Sequence, residues 1–181
     1  PFVHVRQRTV RDRPVVDRGQ GVRFDAVAKR DAFGEPVELV AGGRTVEITS
    51  PAKVMFPKVG PDQVPQTKLD LAQYYLAVGP ALMRWIHDRP VLLERYPNGV
   101  GDKSFFQKRI PDSAPDWLVT TTVQTIKGTP SRASVIHDLA HVLWAANQGV
   151  LGLHVWQYRA DRPQWSDELR IDLDPSPGQT F

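Results

Sequence analysis

Two stretches of this chain carry an apolar period close to that of an α-helix. The other apolar residues fall in short alternating or β-branched runs between turn formers. Thr67 predicts a helix N-cap with Asp70 as its capping-box partner, and Leu69, Leu71, Ala72, Tyr75 and Leu76 form one face. Gly79-Pro80 predicts a break or kink, after which Ala81–Ile86 carries the pattern to Asp88. Ile136–Gln148 reads as the second helix, with Leu139, Val142, Leu143 and Ala146 facing one way and Gly149 as its cap. Around these helices, Val37–Thr49 predicts a hairpin turning at Gly42-Gly43, and Ser50–Pro65 predicts a loop. Pro90–Tyr96, Phe105–Ile110, Trp117–Ile126, Leu151–Tyr158 and Leu169–Asp174 predict strands. Helices and strands mix without a strict βαβ rhythm, so the class is α/β or α+β.

The chain has no cysteine, which excludes disulfides and thiolate metal sites. No secretory h-region and no run of membrane length is visible. The first residue is Pro1 rather than Met, which implies a natural start upstream. Residues 1–30 hold eight basic and three acidic side chains, so a chain of net charge +3 divides into a +5 arm and a −2 remainder. We read residues 1–36 as a basic N-terminal extension suited to phosphate-backbone contact, and 37–181 as the folded part.

Leu169-Arg170-Ile171-Asp172-Leu173-Asp174 carries the sharpest chemical signal. Alternation sends Leu169, Ile171 and Leu173 to a core and sets Asp172 and Asp174 on the opposite face, roughly 6–7 Å apart at Cα. Two carboxylates at that spacing suit Mg²⁺ or Mn²⁺, which take hard oxygen ligands. Taken alone, the pattern also fits an ordinary solvated face. His137 and His141 stand one helical turn apart and could hold Zn²⁺. No HExxH glutamate or third ligand accompanies them, so an ordinary helix N-terminus is the simpler reading. His4 and His87 show no partner in sequence, and Trp117 and Trp144 read as core.

Several blocks in fixed order resemble the polymerase domain of bacterial ligase D, a member of the primase–polymerase superfamily. They are Ser50-Pro51-Ala52-Lys53-Val54-Met55-Phe56-Pro57, Thr67-Lys68, Arg95-Tyr96-Pro97-Asn98-Gly99-Val100, Phe105-Phe106-Gln107-Lys108, Leu143-Trp144-Ala145-Ala146-Asn147, His154-Val155-Trp156 and Asp172-Leu173-Asp174-Pro175. The likeness runs from about Val37 to Gly178 and looks closest to the stand-alone actinobacterial branch.

The resemblance implies an archaeo-eukaryotic primase-like mixed sheet with flanking helices, of which this chain holds the N-terminal part. It implies a repair polymerase that adds nucleotides at gaps and broken ends in non-homologous end joining by two-metal nucleotidyl transfer. Asp172 and Asp174 would hold catalytic Mn²⁺ or Mg²⁺, and His154 would lie near the incoming nucleotide's phosphates. Phe105 and Phe106 would stack on template bases, and Lys53 and Lys68 would take a 5′-phosphate. The loop around Lys53 and the helix start at Lys68 would add outward-pointing backbone N–H groups to that pocket. The implied partners are DNA with a 5′-phosphate, nucleoside triphosphates, Ku and a DNA ligase, in the bacterial cytoplasm at the nucleoid.

Two departures qualify this. Glu94 stands where relatives carry Lys. The family's Ser-x-His motif and third catalytic Asp follow the region covered by these 181 residues, so the chain alone is expected not to polymerise. A non-catalytic module binding 5′-phosphorylated ends is the alternative reading. A small metal-binding domain built on Asp172 and Asp174 is a third.

Overall fold

The computed structural model describes residues 33–125, 127–171 and 178. The basic arm, Ile126 and the Asp172-Leu173-Asp174 motif therefore lie outside the described residues.

The chain starts with a hairpin of β1 (Val37–Ala41) and β2 (Arg44–Ile48), paired antiparallel from Val37↔Ile48 to Ala41↔Arg44. The two-residue turn needs positive φ at both centres, and Gly42 (+56°) and Gly43 (+71°) supply it. Val37, Leu39, Ala41, Val46 and Ile48 all face the core. The segment 50–65, expected as loop, contains β3 (Val54–Phe56), which pairs with β4 (Gln66–Thr67).

Helix α1 spans Lys68–Ile86, with the full capping box at Thr67 and Asp70. It runs unbroken through Gly79-Pro80, where a break or kink was expected. Pro80 removes one backbone donor, but packing holds the helix together. A Cβ on Gly79 would lie 2.6 Å from Leu139 Cδ2, so the bare backbone there lets the second helix approach closely.

That helix, α2, spans Leu139–Asn147, and Ala140 through Ala146 are all buried. It is shorter than the expected Ile136–Gln148. Ile136 ends a strand, and Asp138 is the N-cap, accepting from His141 N. Gly149, with φ +71°, closes the helix as its position predicts.

The main sheet is antiparallel and built on β5 (Arg89–Arg95). Along one side β5 pairs with β8 (Pro130–Ile136) and, further on, with β6 (Phe105–Gln107). Its other side pairs with β9 (Val150–Val155), and β7 (Thr120–Gln124) extends the sheet beyond β8. Strand β8 is hidden in the sequence because Ser131, Arg132 and Ser134 interrupt its apolar alternation. The class is thus α+β.

Val91 and Leu93 are buried in the same core as the apolar residues of α1 and α2, and Tyr75 Oη donates to Leu151 O at 3.2 Å. Leu92, Glu94, Gly152 and His154 lie on the other face of the sheet.

Residues 169–171 form no strand, and Leu169 and Ile171 are 82% and 72% exposed rather than buried. No described strand pairs with them, so the alternation has no surface to pack against. The segment is tied down just upstream. Arg89 is fully buried, with Nη1 2.8 Å from Asp167 Oδ1 and Nε donating to Trp85 O. Its Nη2 lies 2.8 Å from Glu168 Oε1, an ion pair off the hydrogen-bonding axis.

Candidate nucleic-acid interface

Lys53 and Lys68 are 15 positions apart in sequence but adjacent in space. The pairing of β3 with β4 opposes Val54 to Thr67, and Lys68 N donates to Lys53 O at 2.8 Å. Arg95 joins them from the end of β5, close enough for both basic groups to disfavour a charge on Lys68.

Lys68 is held tightly. Its Nζ donates to Thr49 O at 2.7 Å, and Thr49 in turn donates through N and Oγ1 to Asn147 Oδ1 at the end of α2. Burial first, and then Lys53 and Arg95, push the Lys68 ammonium down to about 8. Arg95 donates to Gln148 O at 2.9 Å and Gln107 Oε1 at 2.7 Å, and its guanidinium lies 5.4 Å from the Phe105 ring centre. Burial also holds Arg95 below the usual arginine range.

These partners are all neutral, and among the described residues no carboxylate ion-pairs with Lys53, Lys68 or Arg95. Three cations without a carboxylate partner among the described residues therefore share one junction, which makes it a candidate anion site. It differs from the expected one in its donors. The first-turn amides of α1 are already used: Lys68 N by Lys53 O, Leu69 N by Pro51 O and Asp70 N by Thr67 Oγ1. An anion here would meet side-chain cations, not the helix terminus.

A second group occupies the open face of the sheet. Strand β6 pairs Phe106 with Glu94 and Phe105 with Arg95, so the two phenylalanines point to opposite faces. They are 50% and 46% exposed, and they do not form one platform. Phe106 packs edge-on against His154 at 5.3 Å between ring centres. His154 Nε2 lies 3.2 Å from Glu94 Oε2, while Tyr96 and Ser104 donate to Glu94 Oε1 at 2.9 and 3.2 Å. These bonds, from His154 first and then Tyr96, hold the Glu94 carboxyl below the usual range. Gly152 makes room for the pair, since a Cβ there would lie 2.6 Å from Glu94 Oε2 and 2.9 Å from His154 Nε2. Beside His154 a cleft of about 400 Å³ is lined by Leu92, Val155, Trp156, Gln157, Tyr158 and Ser166.

The structure thus joins Lys53 to Lys68 and sets Phe106 on His154. Asp172 and Asp174 lie outside the described residues. Sequence reasoning gave Arg95 no role, although strand alternation with Leu93 puts a guanidinium on the core-facing side, where a half-buried cation needs a reason.

His137 and His141, weighed in sequence as a Zn²⁺ pair on one helix face, are not arranged so. His137 precedes the helix and lies 2.7 Å from Asp88 Oδ1, and His87, expected to stand alone, lies 3.0 Å from Asp88 Oδ2. His141 is fully buried. Its Nε2 accepts from Val119 N, which leaves the proton on Nδ1, 2.7 Å from Asp138 Oδ1. Burial holds that imidazole below its ordinary range.

Comparison with known proteins gives one consistent picture. Residues 67–181 match the family model described as LigD, primase-polymerase domain. The multifunctional non-homologous end joining protein LigD of Mycolicibacterium smegmatis is 35% identical over 138 residues, which cover 75% of this chain and 17% of that protein. The bifunctional LigD of Bacillus subtilis is 34% identical over 136 residues, 75% of this chain and 20% of that protein. The match therefore spans about a fifth of the length of these relatives. Among solved structures, the polymerase domain of Mycobacterium tuberculosis ligase D in complex with DNA aligns with a TM-score of 0.56 and 34% identity. That alignment covers 63% of this chain and 38% of that one. The chain belongs to the LigD primase-polymerase domain family.

Proposed function

We propose that this chain binds DNA at gaps and broken ends through the 5′-phosphate, and that it serves nucleotide addition there during non-homologous end joining. The observation that carries this reading is the convergence of Lys53, Lys68 and Arg95 with only neutral partners. A terminal phosphate carries about two negative charges near neutral pH, against one for each internal phosphate. A pocket of three cations therefore favours the end over the backbone. Phe105, half exposed above Arg95, offers a ring face to an adjacent base. A DNA-bound relative of the same family and fold supports the same reading.

On the open face, the cleft beside His154 is of a size that accepts a nucleoside triphosphate. His154 then lies near the phosphates, with Phe106 against its ring. Glu94 orients the imidazole through the 3.2 Å contact with Nε2. Asp172 and Asp174 supply only oxygen donors, the set that Mn²⁺ and Mg²⁺ take, and would hold the catalytic ions. Such ions activate a primer hydroxyl and support a triphosphate. Ku and a DNA ligase are the partners this role implies.

The test is binding of the chain to a gapped duplex bearing either a 5′-phosphate or a 5′-hydroxyl at the gap. The proposal expects tighter binding to the phosphorylated duplex, with the preference reduced at least tenfold in Lys53→Ala and Lys68→Ala. Equal affinity for the two duplexes would refute it.

A further inference from the structure

The phosphate pocket sits at the far end of β5. At the near end, roughly 20 Å away at strand rise, stands a different cluster. His87, Asp88 and His137 each present a ligand atom, and these atoms lie within 4.8 Å of one another. Nδ1 of His87 is 3.0 Å from one Asp88 oxygen, and Nδ1 of His137 is 2.7 Å from the other. The imidazole rings are 5.5 Å apart. Two imidazoles from separate elements therefore converge on a single carboxylate.

Backbone contacts fix this arrangement. Asp88 has φ +57°, an uncommon conformation for a residue with a side chain, and it joins α1 to β5. Its N–H donates to Ile136 O at 2.7 Å, and its C=O accepts from Ala160 N at 2.8 Å. Arg159 Nη1 donates to His87 O at 2.8 Å. The end of α1, the end of β8 and the loop after β9 are thus locked around the three side chains. Each side chain keeps 38–53% of its surface exposed, so an ion can reach them without unfolding.

We propose that His87, Asp88 and His137 form a binding site for a divalent transition metal ion of the Zn²⁺ class, with two imidazole nitrogens and one carboxylate oxygen as ligands. Imidazole nitrogen selects Zn²⁺ and its neighbours over Mg²⁺, which prefers oxygen alone. Zn²⁺ bonds of about 2.0–2.2 Å require ligand atoms roughly 3.3 Å apart in a tetrahedron, a small rearrangement of atoms that already lie within 4.8 Å of one another. On binding, each imidazole loses the Nδ1 proton that it directs at Asp88, carries its ring proton on Nε2 instead, and gives the freed Nδ1 lone pair to the metal. Water fills the fourth position. The ion ties the α1–β5 junction to the β8–α2 junction, and it is separate from the oxygen-only pair Asp172 and Asp174.

The test titrates Zn²⁺ alone into the chain in an Asp172→Asn/Asp174→Asn background, followed by calorimetry. The expected result is one Zn²⁺ per chain, bound at least tenfold more weakly in His87→Ala, His137→Ala and Asp88→Asn. Asparagine tolerates the left-handed backbone of position 88, so this last variant keeps the fold and removes only the anionic ligand. Co²⁺ provides a second readout: visible bands of a low-coordinate site in the parent, absent in Asp88→Asn. Far-UV circular dichroism accompanies every variant, and a His variant that unfolds is replaced by the Co²⁺ comparison. Zn²⁺ binding that survives unchanged in His87→Ala and His137→Ala, or no saturable binding at micromolar Zn²⁺, would overturn the proposal.

Discussion

Lys68 concentrates the chemistry of this chain in one side chain. Its stem is buried, its ammonium is anchored on Thr49 O, and burial together with Lys53 and Arg95 lowers its pKa from 10.5 to about 8. The unfolded chain holds this proton up to about pH 10.5 and the folded chain only to about pH 8. Lys68 thus makes folding more favourable as pH rises between those values. The proposed phosphate binding would have the opposite sign, because it needs the protonated amine. Preference for a 5′-phosphate is predicted to fall by up to about tenfold per unit above pH 8 in wild type, and Lys68→Arg is predicted to flatten that fall. Anisotropy titrations from about pH 7 to 9.5 measure both.

On the open face, Gly152→Ala is predicted to push Glu94 off His154, since Glu94 Cβ lies 2.9 Å from the new methyl position. The expected cost is about 1 kcal/mol in urea unfolding, with a shift of the His154 ring resonances. Lys53 and Lys68 could be singled out in the sequence because their motif blocks are distinctive, and the structure shows that they are neighbours. The third cation and the Glu94–His154 bond could not, because both arise from cross-strand register.

Among the elements, helix α1 shows where local signals lose to packing. Gly79-Pro80 is a strong breaker pair on propensity, yet the helix continues because Leu139 of α2 fills the space above Gly79. Gly79→Ala should raise helix propensity by up to about 1 kcal/mol. It is nevertheless predicted to destabilise the protein by a net ~1–3 kcal/mol through overpacking. Adding Leu139→Ala should recover part of the loss, a non-additivity that a double-mutant cycle in urea measures.

Capping chemistry was readable at both helices, from Thr67 with Asp70 and from Gly149. The start of α2 was not, because Ile136 and His137 extend the apolar pattern backward into β8, and only the Asp138 side chain marks the boundary. Arg89 could not be read either, since a buried arginine in a strand becomes intelligible only with Asp167 and Glu168 beside it. Arg89→Met is predicted to leave the sheet folded and to release residues 157–168. Faster hydrogen exchange confined to that segment is the expected signature.

For the molecule as a whole, the sheet separates two working surfaces. Its covered side ends in the cationic junction of Lys53, Lys68 and Arg95, and its open side carries His154, Glu94 and the adjoining cleft. The edge strand β6 lends one phenylalanine to each. Under the proposed function, one side would grip a DNA end while the other faces a nucleotide, and Phe105 and Phe106, adjacent in sequence but on opposite faces, would serve one side each. The +5 charge of residues 1–30 would add a contribution of a different kind to DNA binding. Its removal is predicted to lower the salt dependence of DNA binding, by about 0.9 in the log–log slope for each backbone phosphate that the arm neutralises. The preference for a 5′-phosphate should stay the same.

The pocket itself is tested most directly by ³¹P NMR of a gapped duplex whose gap carries a single 5′-phosphate. The account predicts that the terminal phosphate resonance shifts on addition of the chain, and that the shift disappears in Lys53→Ala/Lys68→Ala. A terminal resonance that stays in place while the duplex is bound would contradict it.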